Sequence, residues 1–196
     1  MLKDATQASQ TPGRAVIDAL RAGPRGFTWP TDQQLIDGFS TGRHFGPGGI
    51  GQPRLRLLLG AVDRRLPDLG ENKTVQYSKC QVEHILPQSW HDHWGVGMEL
   101  DEDARLLREQ KRAAHVHRIG NLTLVSESLN KEMGNSAWPK KKRALWKHSH
   151  LALNKQLQDH EDWNEDRIVK RGQWLAERMS LVWPGPSDPV WDRFSS

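Results

Sequence analysis

Two short segments carry the residue types that hydrolysis of a phosphodiester requires, and the first holds Glu83 and His84 within the run Val-Glu-His-Ile-Leu-Pro-Gln. The imidazole can accept a proton from water at neutral pH, since its unperturbed pKa is about 6.5. The carboxylate offers the hard oxygen atoms that Mg²⁺ or Mn²⁺ prefers. The second segment runs from Asn121 to Asn130 and begins with an amide followed by Leu-Thr-Leu-Val. Together the two segments predict a site with one base and one divalent cation.

The elements that would position these residues form one predicted ββα unit. A strand ends near Leu86, because Pro87 lacks the N–H needed for strand pairing and forces its predecessor to be extended, so Glu83 and His84 lie at the end of this strand. Residues 122–125 predict a second strand, and a helix is expected from about residue 127 to residue 134. The strand that ends in Glu-His and the helix that carries Asn130 would then face one ligand.

Each residue of this unit has an expected role. His84 takes the proton from the water that attacks phosphorus, and a positioned base contributes about 10²–10⁴-fold to the rate. Glu83 and the carbonyl oxygen of Asn130 hold the metal, which neutralises charge on the leaving group. Asn121 fixes either the loop or the ring orientation of His84. The plainer alternative is an exposed Glu-His pair, and the presence of both segments in order favours the site.

A basic run follows the predicted helix. Lys140, Lys141, Lys142 and Arg143 are consecutive, and Lys147 lies one helical turn further on. Such a run is usually a solvated helix face. Here it directly follows the predicted metal helix, so we expect these residues to bind the DNA backbone, which gives affinity without reading the base sequence.

The motifs resemble a known family. Glu-His-Ile-Leu-Pro-Gln, Ile-Gly-Asn-Leu-Thr-Leu and Asn-Lys, with a downstream Asn-Ser-x-Trp-x-x-Lys-Lys, are similar to the C-terminal His-Me-finger (HNH) nuclease domain of GmrSD-type restriction endonucleases. That domain also occurs in larger phage-defence effectors. The resemblance spans about residues 29 to 183 and implies a metal-dependent DNA endonuclease.

The resemblance also assigns residues. His84 matches the general base, Asn121 the middle residue of the motif and Asn130 its last residue. The same motif places Lys131, Asn135 and Lys141 on family-like positions, where we expect contact with DNA. Many HNH nucleases carry two Cys-x-x-Cys pairs that hold structural zinc, whereas this chain has one cysteine. The long stretch between His84 and Asn121 also requires an insertion in the hairpin.

We expect an α+β fold, mostly helical, in which a ββα-metal core at about residues 75–134 is wrapped by helices. Residues 1–28 would form a loose segment and a short helix, residues 29–184 the nuclease domain, and residues 185–196 a tail. Asn135 or Ser136 would cap the helix that carries the basic run. Family members also carry an N-terminal nucleotide-handling or sensor portion, so we expect a partner of that kind in the full system.

Composition limits the other possibilities. The formal net charge of +4 favours a polyanionic partner without distinguishing DNA, RNA and an acidic protein. A single cysteine fits a reducing compartment, and no run of about 20 apolar residues suggests a membrane span, so a cytoplasmic location is expected. Two rival interpretations stay open, a non-catalytic DNA-binding module and an RNase of the same finger geometry. The preferred interpretation is an enzyme that nicks one DNA strand at a time.

Overall fold

The computed structural model describes residues 12–23, 28–67, 75–95 and 101–194. The strands are β1 (Gln81–His84) and β2 (Leu122–Val125). The α-helices are α1 (Pro12–Ala22), α2 (Asp32–Thr41), α3 (Gln52–Arg65), α4 (Glu102–Val116), α5 (Glu127–Met133), α6 (Trp138–His148), α7 (Ala152–Lys155) and α8 (Glu165–Val182). Short 3-10 helices cover Tyr77–Lys79, Ile119–Asn121, Gln156–Asp159 and Pro189–Phe194. The predicted loose segment at residues 1–11 lies outside the described residues.

The two strands form an antiparallel pair, and α5 follows β2 after a single residue. Gln81 lies opposite Val125 and His84 lies opposite Leu122, so each strand is paired along its whole length. Ser126 caps α5, because its side chain accepts the backbone N–H of Leu129. The prediction of a mostly helical α+β fold is therefore confirmed. Whether this β-β-α arrangement holds a metal stays a prediction.

The sheet separates two apolar cores. Val82, Leu122 and Leu124 lie on one face with the buried side of α3 and the second half of α8. Val125 lies on the other face, in a core that includes buried residues of α5 and α6. Because side chains alternate along a strand, the two faces of β1 meet different surroundings. This alternation decides where Glu83 and His84 point.

Helix α8 packs closely on the chain just before β2. Arg171 is buried, and its Nη1 atom donates to the carbonyl oxygens of Gly120 and Leu122, both at 2.7 Å. Gly120 also lies directly against Gly172 of the same helix, without side chains between the two backbones. The long C-terminal helix thereby fixes the entry into β2.

One local prediction was wrong. The N-cap of α6 is Ala137, which makes no side-chain capping bond, so neither Asn135 nor Ser136 caps this helix. The segment expected as a tail contains a 3-10 helix at Pro189–Phe194. Trp191 packs edge-on against Trp29 with ring centroids 5.1 Å apart, which anchors this segment on the domain.

Within the described residues, no helix combines the length and the apolar character that crossing a membrane demands.

Gly120→Ala should destabilise the domain, because the added Cβ atom would overlap the carbonyl oxygen of Ile168 and lie 2.7 Å from the backbone nitrogen of Gly172. Overpacking of this kind costs about 1–3 kcal/mol or more. The matched control is Gly38→Ala in α2, where nothing lies within 4 Å of the added atom. This control should gain about 0.5–1 kcal/mol from reduced backbone freedom. Urea unfolding measures both, and equal effects would contradict the close approach.

Candidate active site

The carboxylate of Glu83 is bound to a buried ammonium group. Lys141 donates from Nζ to Glu83 Oε1 at 2.8 Å and to the carbonyl oxygen of His84 at 2.7 Å. The Lys141 side chain is 0% exposed, whereas that of Glu83 keeps 15% exposure. Burial lowers the pKa of Lys141, and the neighbouring carboxylate opposes that shift. Lys141 therefore links α6 to the end of β1.

The ring of His84 is almost fully covered, at 4% exposure. Phe45 packs edge-on against it with ring centroids 4.6 Å apart, and His84 Nε2 lies 3.3 Å from His117 Nδ1. The pKa of His84 is lowered to about 3. Burial is the main cause, and the positive charges that His117 and Lys141 can carry add to it. The imidazole is thus neutral at pH 7.

Asn121 is fully buried, and its side-chain amide uses both ends. Its Oδ1 atom accepts the N–H of Leu86 at 2.8 Å and the indole N–H of Trp163 at 3.0 Å. Its Nδ2 atom donates to the carbonyl oxygens of Leu86 at 2.8 Å and Val116 at 2.9 Å. Of the two roles considered for Asn121, these contacts match the positioning of the loop after β1.

Asn130 lies on α5 and faces β1. Its Nδ2 atom donates to Gln81 Oε1 at 2.6 Å. Gln81 and Glu83 share a face of β1, because side chains two residues apart point the same way. The structure therefore brings Asn130 to the face that carries the Glu83 carboxylate. The His84 ring, by contrast, lies on the opposite face with Val82.

The predicted DNA contacts have different environments. Lys140, Arg143 and Asn135 are exposed, as a phosphate contact requires. Lys131 is also exposed but pairs with Glu127 at 2.6 Å, and the half-buried Lys142 donates to the carbonyl oxygen of His160 at 2.9 Å. Lys141 was also expected to contact the DNA backbone, but its ammonium group is buried against Glu83.

Two residues near His84 were missed by the sequence interpretation. His117 follows α4 and contacts His84 through its ring. Phe45 lies in the glycine-rich loop before α3 and carried no chemical signal. Among the described residues, no group of three or more His, Cys, Asp or Glu side chains is arranged to hold a metal ion. Any cation here would thus depend on Glu83 together with amide oxygen or substrate oxygen.

Comparison with protein families identifies the chain. The family described as GmrSD restriction endonucleases, C-terminal domain, matches residues 44–178, a stretch that includes every candidate site residue. This match implies the nuclease domain of a restriction endonuclease. Within that class, the chain belongs to the GmrSD C-terminal domain family, which confirms the resemblance seen in the motifs. A search among curated proteins finds no match.

Asn121→Ala should lower the free energy of unfolding by more than about 3 kcal/mol, because it leaves the buried Leu86 amide and the Val116 carbonyl without partners. The control is Asn164→Ala, which removes the side-chain cap of α8 and an exposed hydrogen bond to Asp162, and should cost about 1 kcal/mol. Denaturant unfolding separates the two variants. Similar losses would mean that the Asn121 contacts do not support the loop.

Stability should fall as pH drops below about 6.5, and His44 should contribute to this loss. His44 Nδ1 accepts the N–H of Ile119 at 3.2 Å; burial is the main cause that lowers its pKa, and Arg118 adds to it. The unfolded chain therefore binds a proton that the folded chain refuses. The contribution of His44 to the free energy of unfolding should change by at most about 1.4 kcal/mol per pH unit. His44→Gln should have a shallower slope between pH 7 and 5, and parallel curves would contradict this.

Proposed function

We propose that this domain hydrolyses phosphodiester bonds in DNA, using His84 as the general base and one divalent cation held by Glu83 and Asn130. Membership of the restriction-endonuclease family supports the reaction class. The observation that carries the assignment of residues is the β1–β2–α5 unit, which places Glu83 and His84 at one strand end and Asn130 on the following helix.

The donor set around Glu83 fits Mg²⁺ or Mn²⁺. Lys141 bonds to Oε1 of Glu83, which leaves Oε2 for a cation. The side-chain amide of Asn130 donates from Nδ2, so its Oδ1 atom can coordinate the same cation. Mg²⁺ typically takes one or two carboxylates and completes its shell with water and substrate phosphate. A structural zinc site needs four protein ligands and does not fit. When bound, the cation would neutralise charge that develops on the leaving oxygen.

His84 is suited to accept a proton once the substrate is bound. The ring is neutral, and an approaching phosphate would raise its pKa from about 3 towards the working range, because a nearby negative charge favours the protonated form. Phe45 covers the ring, so we infer that its loop shifts when DNA binds. A phosphate across the end of β1 would then contact His84 from one face and Glu83 from the other.

His117 would hold the ring of His84 in one tautomer. The pKa of His117 is lowered, chiefly by burial. This imidazole is therefore neutral, and its Nδ1 can accept a hydrogen bond. If His84 Nε2–H donates to that atom, Nδ1 of His84 is left as the base. The ring-positioning role first considered for Asn121 thereby passes to His117.

One base and one cation per domain cut one strand at a time. A double-strand break would need two successive nicks or two domains. We further propose that recognition of modified DNA and control by nucleotides reside in an N-terminal sensor portion of the complete system. The phosphate contacts on this domain, chiefly Lys140 and Arg143, would give affinity without selecting a base sequence.

His84→Ala should reduce nicking of supercoiled plasmid by at least about 10²-fold while sparing DNA binding, since only the base is lost. The control His91→Ala removes another histidine, which stacks on Trp90. Assays with Mg²⁺, Mn²⁺ and EDTA, on plasmid and on RNA, separate the rival functions. Binding without metal-dependent cleavage would favour the DNA-binding module, and cleavage of RNA alone would favour the RNase. Direct linearisation by a monomer would contradict strand-by-strand cutting.

A further inference from the structure

Helix α6 has two faces of opposite character. Its inner face is buried and includes Lys141 and Leu145, whereas its outer face exposes Lys140, Arg143 and Lys147. Positions three, four and seven apart lie on the same side of a helix, so these three cations form one row. The row begins next to Lys141, at the candidate active site. It extends about 10 Å along the helix axis at 1.5 Å per residue.

The row ends at an exposed tryptophan. Trp146 is 68% exposed, although its neighbour Leu145 is buried in the core. A single apolar residue on a surface is ordinary. Trp146, however, borders a hollow of about 280 Å³ whose other lining residues are Lys147, Ser149, His150, Lys155 and Gln158. The indole ring of Trp146 and two lysine side chains therefore border the same small cavity.

The lining of this hollow fits one nucleotide. Among the described residues that form it there is no carboxylate, while Lys147 and Lys155 supply positive charge for a phosphate. The side-chain amide of Gln158 can bond to a base or a sugar, and the Ser149 hydroxyl, which accepts from Asn154 Nδ2 at 2.8 Å, still has a proton to donate. Its volume is below the usual range for pockets that hold drug-sized ligands, about 300–1,000 Å³.

We propose that this hollow binds an unpaired nucleotide of the DNA strand, with the base stacked on Trp146 and the phosphate held by Lys147 and Lys155. Proteins that bind single strands combine a positively charged groove with aromatic stacking surfaces. The face of a paired base is occupied by its neighbours in the duplex, so the site requires a locally unpaired strand. The cations Lys140 and Arg143 connect it to the candidate active site. This inference rests on the proposed function, since it names the form of the substrate.

The test is binding of the full chain to labelled oligonucleotides in EDTA, where metal-dependent cleavage cannot interfere. Trp146→Ala should weaken binding to single-stranded oligo-dT by between about 5-fold and 150-fold, which is the loss of one stacked base. Trp146→Phe retains an aromatic face and should stay within about threefold of the wild type. The control is Trp183→Ala, which removes an indole that is 37% exposed at the end of α8 and should leave affinity unchanged.

A second comparison separates stacking from charge. Lys147→Ala should flatten the dependence of single-strand affinity on salt by about 0.7 in logarithmic slope, whereas Trp146→Ala should leave that slope unchanged. Because Trp146 is exposed, its variants should melt at the wild-type temperature. Unchanged single-strand affinity in Trp146→Ala would overturn the proposal. An equal loss for single-stranded and duplex DNA would also overturn it, as would a change only in self-association of the chain.

Failure of this site and failure of the proposed enzyme would look different. If wild-type protein nicks plasmid but Trp146→Ala binds single strands normally, the nucleotide site is refuted and the nuclease stands. If the wild type cleaves nothing but Trp146→Ala loses single-strand binding, the site stands on a DNA-binding module. The binding assay in EDTA and the plasmid assay with metal together distinguish these results.

Discussion

The side-chain amide of Asn121 joins segments that are distant along the chain. It bonds to both backbone groups of Leu86, to the end of α4 at Val116 and to the indole of Trp163. Asn121 is fully buried. A buried polar group without a hydrogen-bond partner is destabilising, and these bonds give each such group a partner. This network fixes the turn after β1 regardless of the insertion between the strands. The positions of Glu83 and His84 depend on that turn.

Around this framework, the charges are arranged asymmetrically across β1. On one face, a buried ammonium group compensates the Glu83 carboxylate and leaves a second oxygen for a cation. On the other face, the neutral ring of His84 packs against His117 and Phe45. A buried cation whose partner carboxylate was removed would be strongly destabilising, so Glu83 and Lys141 act as a unit. Lys141 also donates to the backbone carbonyl oxygen of His84, so the same ammonium group contacts both residues of the Glu-His pair.

Much of this arrangement could be predicted from local signals. Apolar runs and Pro87 indicated β1 and β2, and the helix expected from about residue 127 is α5, since each rests on short-range physics; β1 ends at His84, two residues earlier than expected. The contact between His84 and His117 could not be predicted, because no local rule relates residues on separate elements. The burial of Lys141 was missed, because Lys141 was grouped with its basic neighbours as a contact to DNA. Its spacing from Trp138 and Leu145 places it on the buried stripe of α6, so helical periodicity contained the signal.

The proposed site has one cation held by Glu83 and Asn130 at the same end of β1 that carries His84. Anomalous diffraction from crystals of the His84→Ala variant, grown with Mn²⁺ and an oligonucleotide, tests it directly. We expect one manganese peak within about 2.5 Å of a Glu83 oxygen and of the side-chain oxygen Oδ1 of Asn130, with a phosphate completing the shell. A manganese ion bound elsewhere, with Glu83 contacting only Lys141, would contradict the account.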